Sequence, residues 1–99
     1  MILVRDVFRL KFGKARDALA VWKEMAEQAK RTGLMSPPRI LTDLVGPYYT
    51  LVMETTAESL QAWEAEMHKG LGDPAFHVLY QKFTPLVESG YREIFTVHD

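Results

Sequence analysis

The spacing of apolar positions changes several times along the chain, and each change marks an element. Residues 2–12, ILVRDVFRLKF, are rich in β-branched and aromatic side chains and predict a strand that Gly13 ends. One face of that strand carries Ile2, Val4, Asp6, Phe8, Leu10 and Phe12; the other carries Leu3, Arg5, Val7, Arg9 and Lys11. The period then lengthens. Ala15, Ala18, Leu19, Trp22, Met25, Ala26 and Ala29 recur at three- and four-residue steps, which predicts an amphipathic helix over residues 14–32. Gly33 is its expected stop, because glycine takes the left-handed conformation without steric cost. Residues 34–38, LMSPP, read as a loop, since Pro37 and Pro38 cannot continue a helix or donate to a central strand.

Residues 39–45 and 48–55 predict two strands joined by Gly46-Pro47 in a type II′ turn. That turn sets the register. Ile40 faces Met53, Thr42 faces Leu51 and Leu44 faces Tyr49 on an apolar side expected under helices. Arg39 faces Glu54, Leu41 faces Val52, Asp43 faces Thr50 and Val45 faces Tyr48 on a mixed side that suits a dimer surface or pocket wall. Thr56 is the expected cap of a helix over 57–69, with Leu60, Trp63 and Met67 inward and Gly70 and Gly72 interrupting it. Asp73-Pro74 predicts a fresh N-cap followed by proline at the first helical position. The helix it starts carries Phe76, Leu79, Tyr80, Phe83 and Val87 on one stripe; Pro85 loosens it and Gly90 stops it. Residues 91–98, YREIFTVH, predict the last strand.

The order β-α-β-β-α-β, with the second helical region split, predicts an α+β, ferredoxin-like domain over residues 1–99 with a four-stranded antiparallel sheet. Helices on one side leave Leu41, Val45, Tyr48 and Val52 on the other, too apolar to face water without reason. Pairing two such sheets face to face would give a homodimer, a dimeric α/β barrel with an enclosed cavity at its interface.

Composition narrows the partners. Twelve basic and 13 acidic residues, mixed along the chain, give a formal net charge of -1 and no basic stripe for nucleic acid. Apolar runs fall far below the ~18 residues needed to span a bilayer, so no membrane partner is expected. Arg5 and Asp6 stand where a signal peptide would need its apolar stretch, and cysteine is absent, so a cytoplasmic setting is the default.

Asp6 is the oddest residue of the first strand. Lying between Val4 and Phe8 on one face, it needs a partner such as Arg39 or Arg92, or a pocket role. His68, His77 and His98 show no metal-ligand spacing, so no metal is expected. His77 is the better acid-base candidate, because it starts a helix that would roof the cavity. Trp22 and Trp63 fall on apolar stripes and suit core packing or a wall for a flat aromatic ligand. Arg39 and Glu54 read as a cross-strand ion pair, while Asp43, Thr50 and Tyr48 share its face as a polar patch. Glu88 and Arg92 read as surface charges. No phosphate loop, nucleophile elbow or Ser-His-Asp arrangement appears, and no cofactor is expected.

Together FRLKFGKA (8–15), TDLVGPYYTLVME (42–54), ESLQAWEAE (58–66), DPAF (73–76) and PLVESGYREIFTV (85–97) resemble the dimeric α/β-barrel superfamily. Within it the chain is similar to the NIPSNAP-like and antibiotic-biosynthesis-monooxygenase-like small proteins, NIPSNAP-like being the nearer through the Gly-Pro hairpin and VESGYREI. The resemblance implies the dimer, and it admits cofactor-independent oxygenation, haem degradation or no catalysis. The haem-degrading branch has an Asn, a Trp and a His on the elements that hold Asp6, Trp63 and His77. Aligned on DPAF, however, this chain has Glu66 at that Trp and Tyr80 at that His, which argues against haem degradation. The expected function is a small apolar or aromatic ligand held in the cavity. Asp6, His77 and Tyr48 would be catalytic, as in a cofactor-independent monooxygenase, and Trp22, Trp63, Arg39, Asp43 and Thr50 would bind the ligand. The alternative is a non-catalytic binding or assembly module.

Overall fold

The strand rich in β-branched and aromatic residues, β1 (Ile2–Leu10), lies inside a four-stranded sheet of order β2-β3-β1-β4. The computed structural model describes residues 1–98. The other strands are β2 (Arg39–Thr42), β3 (Thr50–Ala57) and β4 (Val87–Thr96), and each neighbouring pair is antiparallel. Helices α1 (Ala15–Thr32), α2 (Leu60–Leu71) and α3 (Pro74–Phe83) cover one face, and a 3₁₀ turn over Thr84–Leu86 leads into β4. This is the α+β, ferredoxin-like order read from the sequence. No helix among the described residues is long and apolar enough to cross a membrane.

The core joins sheet and helices through Leu10, Leu51, Ala18 and Phe83, all nearly inaccessible. Phe8, Trp22 and Phe83 pack around it. The Phe83 ring meets Phe8 edge-on at 5.0 Å and Trp22 edge-on at 5.2 Å, the arrangement aromatic quadrupoles favour. Val4, Asp6, Phe8 and Leu10 therefore look toward the helices, and Leu3, Arg5, Val7 and Arg9 look away.

Local chemistry fixes the ends. Gly33 closes α1 at φ 68°, its N–H bonded to the Ala29 carbonyl. The Ser59 hydroxyl accepts from the Ala62 N–H to start α2, and Asp73 caps α3 by accepting from the Ala75 N–H, with Pro74 first in the helix. Thr56 is not the cap of α2: β3 runs on to Ala57, and the cap moves to Ser59. Gly70 does not interrupt α2. It is buried within the helix, and the Met35 side chain occupies the space a Cβ would need.

The register between β2 and β3 is the predicted one, with Arg39 opposite Glu54, Ile40 opposite Met53, Leu41 opposite Val52 and Thr42 opposite Leu51. The turn is different. Pairing stops at Thr42, and residues 43–49 form a loop with Gly46 at φ 140° and Tyr49 at φ 59°. Asp43 keeps one ladder bond to the Thr50 carbonyl, and its carboxylate takes the Thr50 N–H at 2.9 Å. Side chain thus replaces backbone, and the tight hairpin is not needed.

Gly90 likewise stops nothing. It lies within β4 opposite Phe8, where a methyl group would stand 2.7 Å from Phe8 Cδ1 and 3.2 Å from the Val7 carbonyl. The glycine lets the Phe8 ring lie across β4 and reach Phe83. Gly90→Ala should therefore destabilise the fold by roughly 1–3 kcal/mol through a displaced ring, measured by urea unfolding. Phe8→Leu in the same chain should recover part of the loss. A full-strength Gly90→Ala protein would mean that Phe8 is free to move.

Candidate functional site

Alternation puts Ile40, Met53, Asp6 and Arg92 side by side in one row across the inner face of the sheet. Two are apolar, but Asp6 brings a charge under the helices. Arg92 answers it: its Nε donates to Asp6 Oδ1 at 2.6 Å. The guanidinium also lies against the Trp63 ring, 4.9 Å from the centroid, so α2 is tied to the pair by a cation–π contact. A half-buried carboxylate such as Asp6 holds its charge at lower cost when a cation is hydrogen-bonded to it.

Above this row the helices stand off the sheet and leave a cavity of about 460 Å³. That is within the ~300–1,000 Å³ range of small-molecule pockets. Trp22, Met25, Gln28 and Ala29 of α1 form one wall; Trp63, Met67 and Gly70 of α2 and Phe76, His77 and Tyr80 of α3 form others. Leu34, Met35, Ser36 and Pro38, between α1 and β2, close a further side. The Met35 side chain is seated on Gly70, and the Ser36 N–H donates to the Glu66 carboxylate, which fastens this segment to α2. Four of the chain's five methionines line the cavity: Met25, Met35, Met53 and Met67. Their unbranched thioethers adapt in shape and make favourable contacts with aromatic ring edges.

Several polar groups border this apolar space, and two stand out. One is the Asp6–Arg92 pair. The other is His77, whose Nε2 lies 2.6 Å from the Leu71 carbonyl. A carbonyl only accepts, so Nε2 carries the proton and Nδ1 is the acceptor of the neutral ring. Nearby, Asp73 accepts from Gln28 Nε2 at 3.2 Å, which links α1 to the start of α3. Trp22 Nε1 is buried without a hydrogen-bond partner.

Of the residues singled out from the sequence, the cavity gathers Asp6, Trp22, Trp63 and His77. It does not gather Tyr48, Arg39, Asp43 or Thr50. Arg39 sits on the outer face, 2.5 Å from Glu54, and Thr50 is on that face too. Asp43 is spent on the Thr50 N–H, and Tyr48 is exposed on the hairpin loop. The cavity also lies on the helix side of the sheet within one chain, whereas the sequence suggested the space between two sheets. Arg92, its side chain 45% exposed, is a surface charge that also lines the cavity and is the partner of Asp6 that the sequence offered. Its signal was the alternation Gly90, Arg92, Ile94, which puts it on the face of a glycine that makes room for a ring.

No protein-family model matches the chain, and no curated protein matches its sequence. Solved structures do share its fold. A NIPSNAP family protein from Agrobacterium tumefaciens is 21% identical and superimposes with a TM-score of 0.85 over 99% of this chain and 86% of its own. An uncharacterized NIPSNAP domain protein from Burkholderia xenovorans is 14% identical, with a TM-score of 0.81 over 99% and 95% of the two chains. An antibiotic biosynthesis monooxygenase is 14% identical, with a TM-score of 0.74 over the whole of both chains. The chain thus has the fold common to NIPSNAP family proteins and antibiotic-biosynthesis-monooxygenase-like proteins, the superfamily that its sequence resembles.

Proposed function

We propose that the protein is a NIPSNAP-like homodimer that binds a small, flat aromatic molecule in the cavity beneath its helices. The observation that carries this reading is the cavity wall: two tryptophans, Phe76, Tyr80 and four methionines around about 460 Å³, with ionisable groups at its margin. Planar polarisable ligands gain most from such a lining, through ring stacking and thioether contacts. The NIPSNAP and monooxygenase structures that share the fold are consistent with it.

In the catalytic form of the proposal the ligand is an electron-rich phenol or anthrone. His77 Nδ1 takes the proton whose loss makes the ring carbon reactive toward oxygen, and the Asp6–Arg92 pair holds the resulting oxyanion through the guanidinium. Dioxygen then adds to that carbon; a methylene becomes a carbonyl, and the second oxygen atom leaves as water. Positioning and a single proton transfer are all the chain has to supply. Tyr48, Arg39, Asp43 and Thr50 belong in this reading to the uncovered side of the molecule and to its dimer contacts.

A second reading, ligand binding without turnover, is favoured by one fact: Asp6 is already satisfied by Arg92. Within a chain, Arg39 and Asp43 are satisfied too, by Glu54 and by the Thr50 N–H.

Binding is tested by titrating the protein with anthrone under nitrogen while following tryptophan emission. Both tryptophans line the cavity, so emission should quench saturably, and Trp63→Leu should weaken affinity by about tenfold, as expected for loss of one aromatic contact. Quenching that never saturates would remove the ligand reading.

Turnover is tested by admitting air and following quinone absorbance. His77→Gln should slow it by about 10²-fold, the low end for loss of a general base, with affinity unchanged. Binding with no quinone from the wild-type protein would leave the non-catalytic reading standing.

A further inference from the structure

Helix α2 turns one face to the cavity, with Trp63, Met67 and Gly70 on it at four- and three-residue steps. In its first turn, Trp63 lies against the Arg92 guanidinium. Near its other end, Gly70 receives the Met35 side chain. The rise from position 63 to position 70 sets these two contacts about 10 Å apart along the helix. The sheet orders the same two ends. Arg92 belongs to β4 at one edge, and Met35 lies in the segment that enters β2 at the other. The cavity therefore runs across the strands, from the Asp6–Arg92 pair to Met35.

Gly70 is not there for its backbone. It is helical, it is not among the positive-φ glycines, and alanine is the better helix former at such a position. What it supplies is space: a Cβ on Gly70 would fall on Sδ and Cγ of Met35. The backbone of this segment cannot simply back away. The Ser36 N–H donates to the Glu66 carboxylate, and Glu66 stands one helical turn before Gly70 on the same side of α2. Pro37 and Pro38 then stiffen the chain up to Arg39, where β2 begins. Helix α2 thus offers a carboxylate and a notch one turn apart, and two consecutive residues, Ser36 and Met35, take them. With its backbone tied, a Met35 side chain lifted out of the notch turns over the cavity that it lines.

We infer that Met35, seated on Gly70, is the end wall that sets how long a ligand the cavity accepts. The inference rests on the aromatic-ligand reading above and adds a size to it. A ligand whose polar atom is held at Arg92 has about 10 Å along α2 before it meets the Met35 thioether. That length suits a skeleton of two or three fused rings lying across the strands, its far ring edge against sulfur, a contact aromatic edges favour. The notch and the wall act together. Filling the notch pushes the wall inward and shortens the cavity, whereas cutting back Met35 lengthens it, so the two changes shift ligand preference in opposite directions.

The experiment titrates the protein with 2-naphthol, 9-phenanthrol and 1-hydroxypyrene, of two, three and four fused rings, following tryptophan emission. Gly70→Ala should weaken 9-phenanthrol by about tenfold or more, the scale of a methylene-sized change in an apolar pocket. It should leave 2-naphthol within about threefold of wild type. Met35→Ala should do the reverse and tighten 1-hydroxypyrene by about tenfold relative to 2-naphthol. Thermal melting reads the seat without any ligand. Gly70→Ala should lower the melting temperature in the wild-type chain and raise it in the Met35→Ala chain, where helix propensity alone acts. Equal shifts for all three ligands, or an alanine at 70 that raises the melting temperature in both backgrounds, would overturn the end wall while leaving the cavity a binding site. If Gly70→Ala does not fold, Met35→Ala decides alone, and an unchanged ratio of 1-hydroxypyrene to 2-naphthol affinity sinks the assignment. A wild-type protein that binds none of the three removes the aromatic-ligand reading and this inference with it.

Discussion

A sheet has two faces, and this chain supplies helices for only one of them. Everything distinctive about the molecule follows from that inequality. On the covered side, Phe8, Trp22 and Phe83 interlock at one end of the sheet, where Gly90 removes the side chain that would hold the rings apart. That cluster fixes how closely α1 and α3 approach the strands. Toward the row of Asp6 and Met53 no equally bulky set fills the gap, and the helices enclose space instead of packing it. A void of that size in a small core is destabilising in proportion to its volume. Flexible methionines around it moderate the cost, since they can lean inward when the cavity is empty and outward when it is filled.

Asp6 sharpens the point. In the middle of an inner strand, an apolar residue packed against Met53 and Trp63 would serve stability at least as well as an ion pair, because both charges must give up water before they attract one another. What Asp6 and Arg92 add is a guanidinium whose Nε is committed to Asp6 and which lies against the Trp63 ring. Fixed in this way, it presents charge at the cavity wall without having to reorganise, which is how preorganised electrostatics assist a developing anion.

Much of the fold was legible because it depends on local rules. Helix α1 is written in the three- and four-residue spacing of its alanines, Trp22 and Met25, and in Gly33 after it. The start of α3 is written in Asp73-Pro74, and the β2–β3 register in the alternation of both strands. What was not legible depends on tertiary contact. Gly90 reads as a stop until Phe8 is known to lie across it, and that misreading hid the first residues of β4. Thr56 is as good a cap as Ser59 in isolation; only pairing with Leu3 keeps it in a strand. Gly46-Pro47 suits a tight turn, but the Asp43 carboxylate offers a competing partner for the Thr50 N–H. For the site, Asp6, His77 and the two tryptophans stood out by residue type. The methionines did not, because a methionine on an apolar stripe looks the same whether it fills a core or lines a cavity. Arg39 and Thr50 were placed on one face correctly by strand register, but it is the outer face and not the cavity, and Asp43 and Tyr48 lie in the loop where that register ends.

The two faces are not independent. The inner row of Ile40, Met53, Asp6 and Arg92 is offset by one residue from the outer row of Arg39, Glu54, Arg5 and Glu93, so each strand carries a cavity residue directly beside an outer charge. Successive side chains on a strand point to opposite faces and share one backbone. Any force that fixes the outer row therefore fixes the floor of the cavity, and in particular the separation of β1 and β4 on which the Asp6–Arg92 hydrogen bond depends. Charge on the outer face and charge in the cavity are then two uses of the same short stretch of sheet. The row of outer charges, ion-paired within the chain, lies immediately behind the cavity floor and braces the strands that carry it.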